Sequence, residues 1–275
     1  MSSCLASSYV LPSGNFLVTK EHRRFVEFCD ACRRSRYIGL CHGVPGVGKT
    51  VSAYQYAQWD LLGSPESHYL PAAAIPRTVV TERTIVYTPG VGAAPQQIER
   101  TVVGLRRRLN ALAARAHQAS LFFDEPSMLH HTPDLIIVDE ADRLKMAGLE
   151  QMRDIYDRGQ LGLVLIGMPG LEKRLARYAQ LQSRVGFVHQ FRTLSTEEMQ
   201  FILAHKWQQL GLKLTPDDFT DAEAVAAITR ITAGNFRLIQ RLFEQIDRIL
   251  LINNLRTVTK EVVEAARETL VVGPI

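Results

Sequence analysis

Eight consecutive residues, Gly43-Val44-Pro45-Gly46-Val47-Gly48-Lys49-Thr50, have the spacing of a loop that grips phosphate. Glycines let the backbone curl until its N–H groups converge on an anion. A lysine supplies charge to the terminal phosphates, and a hydroxyl ligates the accompanying cation. The expected ligand is ATP with Mg²⁺, held by Gly43 through Val51, with Lys49 on the β and γ groups and Thr50 on the metal. A second piece of the same chemistry stands at Leu135-Ile136-Ile137-Val138-Asp139-Glu140. An apolar strand ending in two acids puts Asp139 on the metal and lets Glu140 orient or deprotonate an attacking water.

These side chains need a sheet to position them. Tyr37–Cys41 reads as a short buried strand feeding the phosphate loop, and a helix follows from Lys49 to near Leu62, where Gly63, Ser64 and Pro65 break it. Further strands are expected at Arg83–Thr88, Leu135–Val138, Leu163–Gly167 and near Gly186–His189. Helices are expected from Thr19, over 96–118, over Ala141–Asp157 and over Leu171–Ala179, with long connections at 63–82 and 120–133. Alternation of strand and helix argues for a parallel sheet covered by helices on both faces, an α/β fold. After Leu194 the pattern is helical only: Ser195 with Glu198 makes a capping box, and segments 195–210, 220–232, 235–252 and 259–270 follow. The expected division is an arm over 1–19, a nucleotide-binding core over 20–194 and a helical lid over 195–275.

With 46% hydrophobic and 22% charged residues the chain has the composition of an ordinary globular protein, and its net charge of +4 permits a nucleic-acid partner without arguing for one. No apolar run approaches the ~18 residues of a membrane span, and the N-terminal stretch lacks a basic region followed by an apolar one. The expectation is a cytoplasmic protein with no membrane partner. Cys29-x-x-Cys32, with Cys41 and His42 nearby, is half of a zinc pattern. Cys29 and Cys32 fall one turn apart on a helix, however, and Cys41–His42 close a strand, which favours ordinary reduced thiols.

The two motifs resemble those of the AAA+ ATPases, and the resemblance covers roughly residues 20–270. It implies a P-loop NTPase fold ending in a small all-helical lid. It also implies an arginine in that lid that reaches the γ-phosphate: Arg237, in Ala233-Gly234-Asn235-Phe236-Arg237. A second arginine near the end of the core would act on a neighbouring subunit's nucleotide; Arg184 matches best and Arg177 second. One departure stands out, because the family ends the strand Leu163–Gly167 in a polar residue and this chain has Met168. The string DEADRL at 139–144 also resembles DEAD-box helicases, but those need a second RecA-like domain that nothing after Leu194 supplies.

Within AAA+, DEADRLKMAGLEQMRDIYD and GLVLIGMPGLEKRL resemble the ATPases that assist DDE transposases, the TnsC, TniB and MuB type. That implies a homo-oligomer, ring or helical filament, formed on double-stranded DNA in the ATP state. It would mark the target and recruit the transposase, with a target-selector protein as a further partner, and hydrolysis would dismantle it. Separately from any family, the helix after Pro95 carries Arg100, Arg106, Arg107, Arg108 and Arg115 with one nearby acid, Glu99. Such a strip suits phosphates without reading bases, so sequence-independent binding through Arg100, Arg106, Arg107 and Arg108 is expected. A second basic region comprises Lys20, Arg23, Arg24, Arg33, Arg34 and Arg36. Two other readings stay open: a secretion-associated ATPase of the ExeA type, and a nucleotide-switched scaffold or replication loader.

Overall fold

The computed structural model describes residues 16–63, 70–119 and 134–270. The expected arm and the 120–133 loop therefore lie, wholly or largely, outside the described residues. The described residues fall into two compact units.

The first unit takes in His22–Gly43 and Lys49–Gln190. Its elements are α1 (Lys20–Ser35), β1 (Ile38–His42), α2 (Lys49–Tyr56), α3 (Trp59–Gly63), α4 (Arg77–Thr81), β2 (Thr84–Tyr87), α5 (Pro95–Ala119), β3 (Leu135–Val138), α6 (Met146–Gly159), β4 (Gly162–Gly167), α7 (Leu171–Leu175), α8 (Ala179–Gln182) and β5 (Val185–Gln190). The strands form one sheet in the order β2-β3-β4-β1-β5, and every pairing is parallel.

Parallel order explains the strand sequences. A strand covered on both faces is apolar at every position rather than alternating. β3 and β4 are buried throughout, whereas β5, at an edge, alternates between half-buried and exposed residues. On one face, Ile98, Val102, Leu109 and Leu112 of α5 and Leu149, Met152 and Ile155 of α6 pack with Ile136, Val138, Leu163 and Leu165. On α5 these residues recur every three, four or seven positions, the spacing that gives a helix one apolar side. Elsewhere α1 presses directly on β1. A Cβ on Gly39 would sit 2.4 Å from Cys32 Sγ and 2.6 Å from the Phe28 ring, so only glycine admits the helix at this distance. Cys29, Cys32 and Cys41 are buried free thiols. Burial pushes the Cys29 thiol well up and the Cys32 thiol to about 12, so both stay protonated at neutral pH.

Several elements differ from expectation. The helix expected from Lys49 to near Leu62 is divided into α2 and α3, and the connection expected over 63–82 contains α4. The helix expected over 141–157 is a 3₁₀ turn at Ala141–Arg143, then an extended Leu144 and Lys145, then α6. The break buries Leu144 in the core, and the Arg174 guanidinium holds the carbonyls of Asp142 and Leu144 across it. The expected helix over 171–179 is likewise divided, into α7 and α8.

The second unit comprises Thr19–Glu21, Val44–Gly48 and the chain from Phe191 on. Its helices are α9 (Thr196–Gln209), α10 (Phe219–Thr232), α11 (Phe236–Asn253) and α12 (Lys260–Glu268). Each begins on a side-chain cap: the Ser195–Glu198 capping box, then Asp218, Asn235 and Thr259 in turn. At the centre Trp207 meets Phe243 edge-on with centroids 5.4 Å apart, and its indole N–H donates to Asp221 Oδ1 at 3.3 Å. Glu198 is buried but satisfied, accepting from the backbone N–H of Lys20 at 2.7 Å and of Ser195 at 3.0 Å. Among the described residues, no helix is long and apolar enough to cross a membrane.

Candidate functional site

The carboxyl ends of β1, β3 and β4, which are neighbours in the sheet, carry the reactive groups, as open parallel sheets dictate. β1 ends in His42 and the chain turns at once into the loop. Gly43 N–H donates to Gly167 O at the end of β4 at 3.3 Å, fixing where the loop begins.

Gly46 has φ +84° and Gly48 has φ +110°, a region that other residues rarely enter. At Gly48 a Cβ would meet nothing nearer than 3.9 Å, so the backbone angle alone requires glycine. At Gly46 a Cβ would also collide with the Asn235 side chain at 2.5 Å. α2 begins at Lys49 itself, the arrangement that leaves a helix's first N–H groups available to an anion. Lys49 Nζ folds back to donate to Gly43 O at 2.5 Å, keeping its charge within the loop.

Asp139, only 3% exposed, sits one residue beyond β3. Burial raises its carboxyl above the usual range and the Glu140 charge adds to this. The Thr50 hydroxyl, which hydrogen-bonds to it, the Glu140 N–H and the Lys49 charge work the other way. The two groups expected to meet a magnesium ion, the Thr50 hydroxyl and the Asp139 carboxylate, are therefore already in contact. They are hard oxygen donors, the kind that ion accepts, and a desolvated carboxylate gains from a cation. The donor set fits.

Glu140 adopts a left-handed backbone, φ 53° and ψ 44°, a strained conformation for a residue with a side chain. Its carboxylate is ion-paired with Arg143, which also donates to Pro89 O beyond β2 at 3.3 Å. The group expected to handle water is thus held by a guanidinium three residues on. At the end of β4, Met168 is 42% exposed, and its N–H donates at 2.6 Å to Asp142 Oδ2. The polar group at this strand end is Asp142, a residue sequence reasoning passed over. Its position in the acidic run after β3 was visible; its reach across to β4 depends on the 3₁₀ turn, which was not.

The expected arginines fall in different settings. Arg237 lies in the first turn of α11, with an exposed side chain, and its backbone N–H donates to Gly46 O at 2.9 Å. Arg184, just before β5, pairs through Nε with Asp157 Oδ1 of α6 at 2.7 Å and also donates to Gln180 O. Arg177 is exposed. On α5, Arg100 and Arg107 are exposed and two turns apart, so they share a face. Arg106 is half-buried and lines a crevice of about 80 Å³ with Glu99 and Arg158. Arg108 turns the other way and donates to the Leu62 and Gly63 carbonyls at 3.0 and 3.2 Å, closing the end of α3. Arg115 similarly donates to Leu70 O. Glu99, the nearby acid, is paired with Arg158 at 3.1 Å.

A parallel sheet with a glycine-bent loop after β1, a lysine and threonine opening α2 and a buried acid after β3 defines a P-loop NTPase. The AAA domain family matches residues 32–175, more than half of the chain, and the chain belongs to it. A Staphylococcus aureus protein named "Potential ATP-binding protein" is 45% identical over 270 residues, 94% of this chain and 97% of that one. The Mu-like prophage FluMu DNA transposition protein B of Haemophilus influenzae is 25% identical over 239 residues, 83% of this chain and 71% of its own length. The ATP-dependent target DNA activator B of Escherichia phage Mu is 29% identical over 160 residues, 54% of this chain and 42% of that protein. The chain thus spans less than half of the phage activator. The Thermotoga maritima RuvB Holliday junction branch migration motor superposes with a TM-score of 0.58 over 93% of this chain and 70% of that one, at 16% identity. That likeness is one of fold.

Proposed function

We propose that the chain is an ATP-dependent regulator of DNA transposition, an ATPase that acts on double-stranded DNA and on a DDE transposase. The observation that carries the reading is the sequence relationship to a Mu-like transposition protein B over 83% of the chain, joined to a complete phosphate loop and its acidic partner. Residues 20–194 would form the nucleotide-binding core and 195–275 the lid.

In this reading Gly43–Val51 hold the ATP phosphates through backbone N–H groups, and Lys49 neutralises the terminal ones. Thr50 and Asp139 hold Mg²⁺, which when bound draws charge from the β and γ phosphates. Glu140 orients and deprotonates the attacking water, which requires it to leave Arg143. Arg237 contacts the γ-phosphate, and Arg184 does so from a neighbouring subunit. Arg100 and Arg107, on their shared face, with Arg106 beside them, follow the DNA backbone. Arg108 contributes by keeping α5 and α3 together. Assembly into a ring or filament in the ATP state recruits the transposase, and hydrolysis releases the DNA.

The experiment is electron microscopy and an ATPase assay on purified protein with duplex DNA. A non-hydrolysable ATP analogue should give ordered assemblies on DNA, and ATP should disperse them. A monomer under every nucleotide condition, with hydrolysis indifferent to DNA, would reject the reading.

A further inference from the structure

The tip of the phosphate loop, Val44–Gly48, belongs to the same compact unit as α11. Two consecutive carbonyls of that tip are fastened to the start of the helix. Asn235 Nδ2 donates to Pro45 O at 2.8 Å, and the Arg237 N–H donates to Gly46 O at 2.9 Å. At the same time Asn235 Oδ1 accepts from Leu238 N–H at 3.2 Å, capping α11.

We propose that Asn235 is a positioning residue for nucleotide binding, one amide that both caps α11 and fixes which way the phosphate loop's N–H groups face. The inference rests on the nucleotide reading of the loop and not on the DNA reading. The physical argument comes from the peptide bond. In a trans peptide the C=O of one residue and the N–H of the next point in opposite directions. Fastening the Pro45 and Gly46 carbonyls toward α11 therefore turns the Gly46 and Val47 N–H groups to the opposite side of the backbone. Those are donors that a phosphate needs.

The anchor is itself hydrogen-bonded in place. Ala233 and Gly234 precede it with φ of 45° and 75°, and Asn235 N–H donates to Thr232 O at 2.8 Å. Gly234 O accepts from Leu194 N–H at 3.0 Å, and a Cβ on Gly234 would lie 2.6 Å from Leu194 O. Ser, Thr and Asp cap helices as well as Asn does, but Asp has no donor, and the Ser or Thr hydroxyl carries its only donor on the capping oxygen itself, one bond nearer the backbone. A cap alone does not call for asparagine; holding a carbonyl from a second atom, as Nδ2 does here, calls for an amide.

Asn235→Ser separates the two duties, because serine keeps a neutral capping oxygen and loses the reach to Pro45 O. Asn235→Ala removes both. Release of a fluorescent ADP and of a fluorescent non-hydrolysable ATP analogue is followed by stopped flow, beside the melting temperature of the nucleotide-free protein. Both variants should release nucleotide about five- to tenfold faster than wild type, the size expected for the removal of one hydrogen bond. Only Asn235→Ala should melt earlier. Release unchanged in Asn235→Ser but faster in Asn235→Ala would assign the effect to capping and overturn the proposal, as would unchanged release in both. If Asn235→Ser itself melts early, Asn235→Thr, a second neutral cap, replaces it under the same criteria. Failure of the wild type to retain nucleotide would instead reject the nucleotide reading on which all of this stands.

Discussion

Asp139 is buried, and its carboxylate is stabilised by one hydroxyl, one N–H and a lysine charge. Burial outweighs them, so its pKa is raised in the folded state, and the sign of the pH dependence follows. Above that raised value the folded protein carries a desolvated charge that costs stability, and the cost is relieved as pH falls through it. Asp139→Asn should therefore raise the melting temperature of the nucleotide-free protein at neutral pH, the gain shrinking toward acid, while abolishing magnesium-dependent nucleotide binding. Calorimetric melts across pH check the first expectation and titration with Mg·ATP the second; a variant less stable at neutral pH would contradict it. Lys49→Ala should lose ATP binding, measured by the same titration. Glu140→Gln should bind normally and lose about a hundredfold or more in turnover, the usual size of a general-base contribution. Normal turnover in Glu140→Gln would mean that another residue manages the water.

At the scale of elements, α5 turns its arginines to two different faces. Arg108 closes α3 by donating to its last carbonyls, whereas Arg100 and Arg107 lie on the exposed side. Arg107→Ala, with Arg100→Ala, should weaken DNA binding uniformly across sequences and lower the salt slope by roughly one for each phosphate no longer neutralised. Arg108→Ala should leave that slope alone and cost about 1 kcal/mol of stability, the worth of a typical hydrogen bond. Binding titrations at several salt concentrations and chemical denaturation separate the two. The contrast marks what sequence could supply. Three consecutive arginines announce a basic segment, and helical geometry says that they cannot share a face. Which of them turns inward depends on where α3 ends, a tertiary fact. Fully apolar β3 and β4 and the glycine spacing at Gly43–Gly48 were readable because burial on two faces and positive φ each demand particular residue types. The 3₁₀ turn after Glu140 was not, because DRLKMAGLEQM has helical spacing and the break is forced by burial of Leu144 and the Arg174 hydrogen bonds. Asp142, which accepts from the Met168 N–H at the end of β4, was missed for the same reason.

At the scale of the whole molecule, the functional reading requires more than one copy. Arg184→Ala should abolish DNA-stimulated hydrolysis and be partly rescued by mixing with Lys49→Ala, whose own arginine is intact; the ATPase rate of the mixture is the measurement. Rescue is expected only where both variants enter one assembly, which light scattering of the mixture reports. An unrescued mixture that does co-assemble would remove Arg184 from the shared site.

The Arg184–Asp157 pair carries a consequence for timing. In a solitary copy the arginine that a neighbour would need is engaged at home, within hydrogen-bonding distance of its own α6. If Arg184 serves a neighbour's nucleotide, as proposed, each subunit joining an array would first give up that internal bond, a half-exposed pair worth about 1 kcal/mol or less. Burning of fuel would then begin slightly later than crowding, and a newly laid tract would outlive the moment of its first contact.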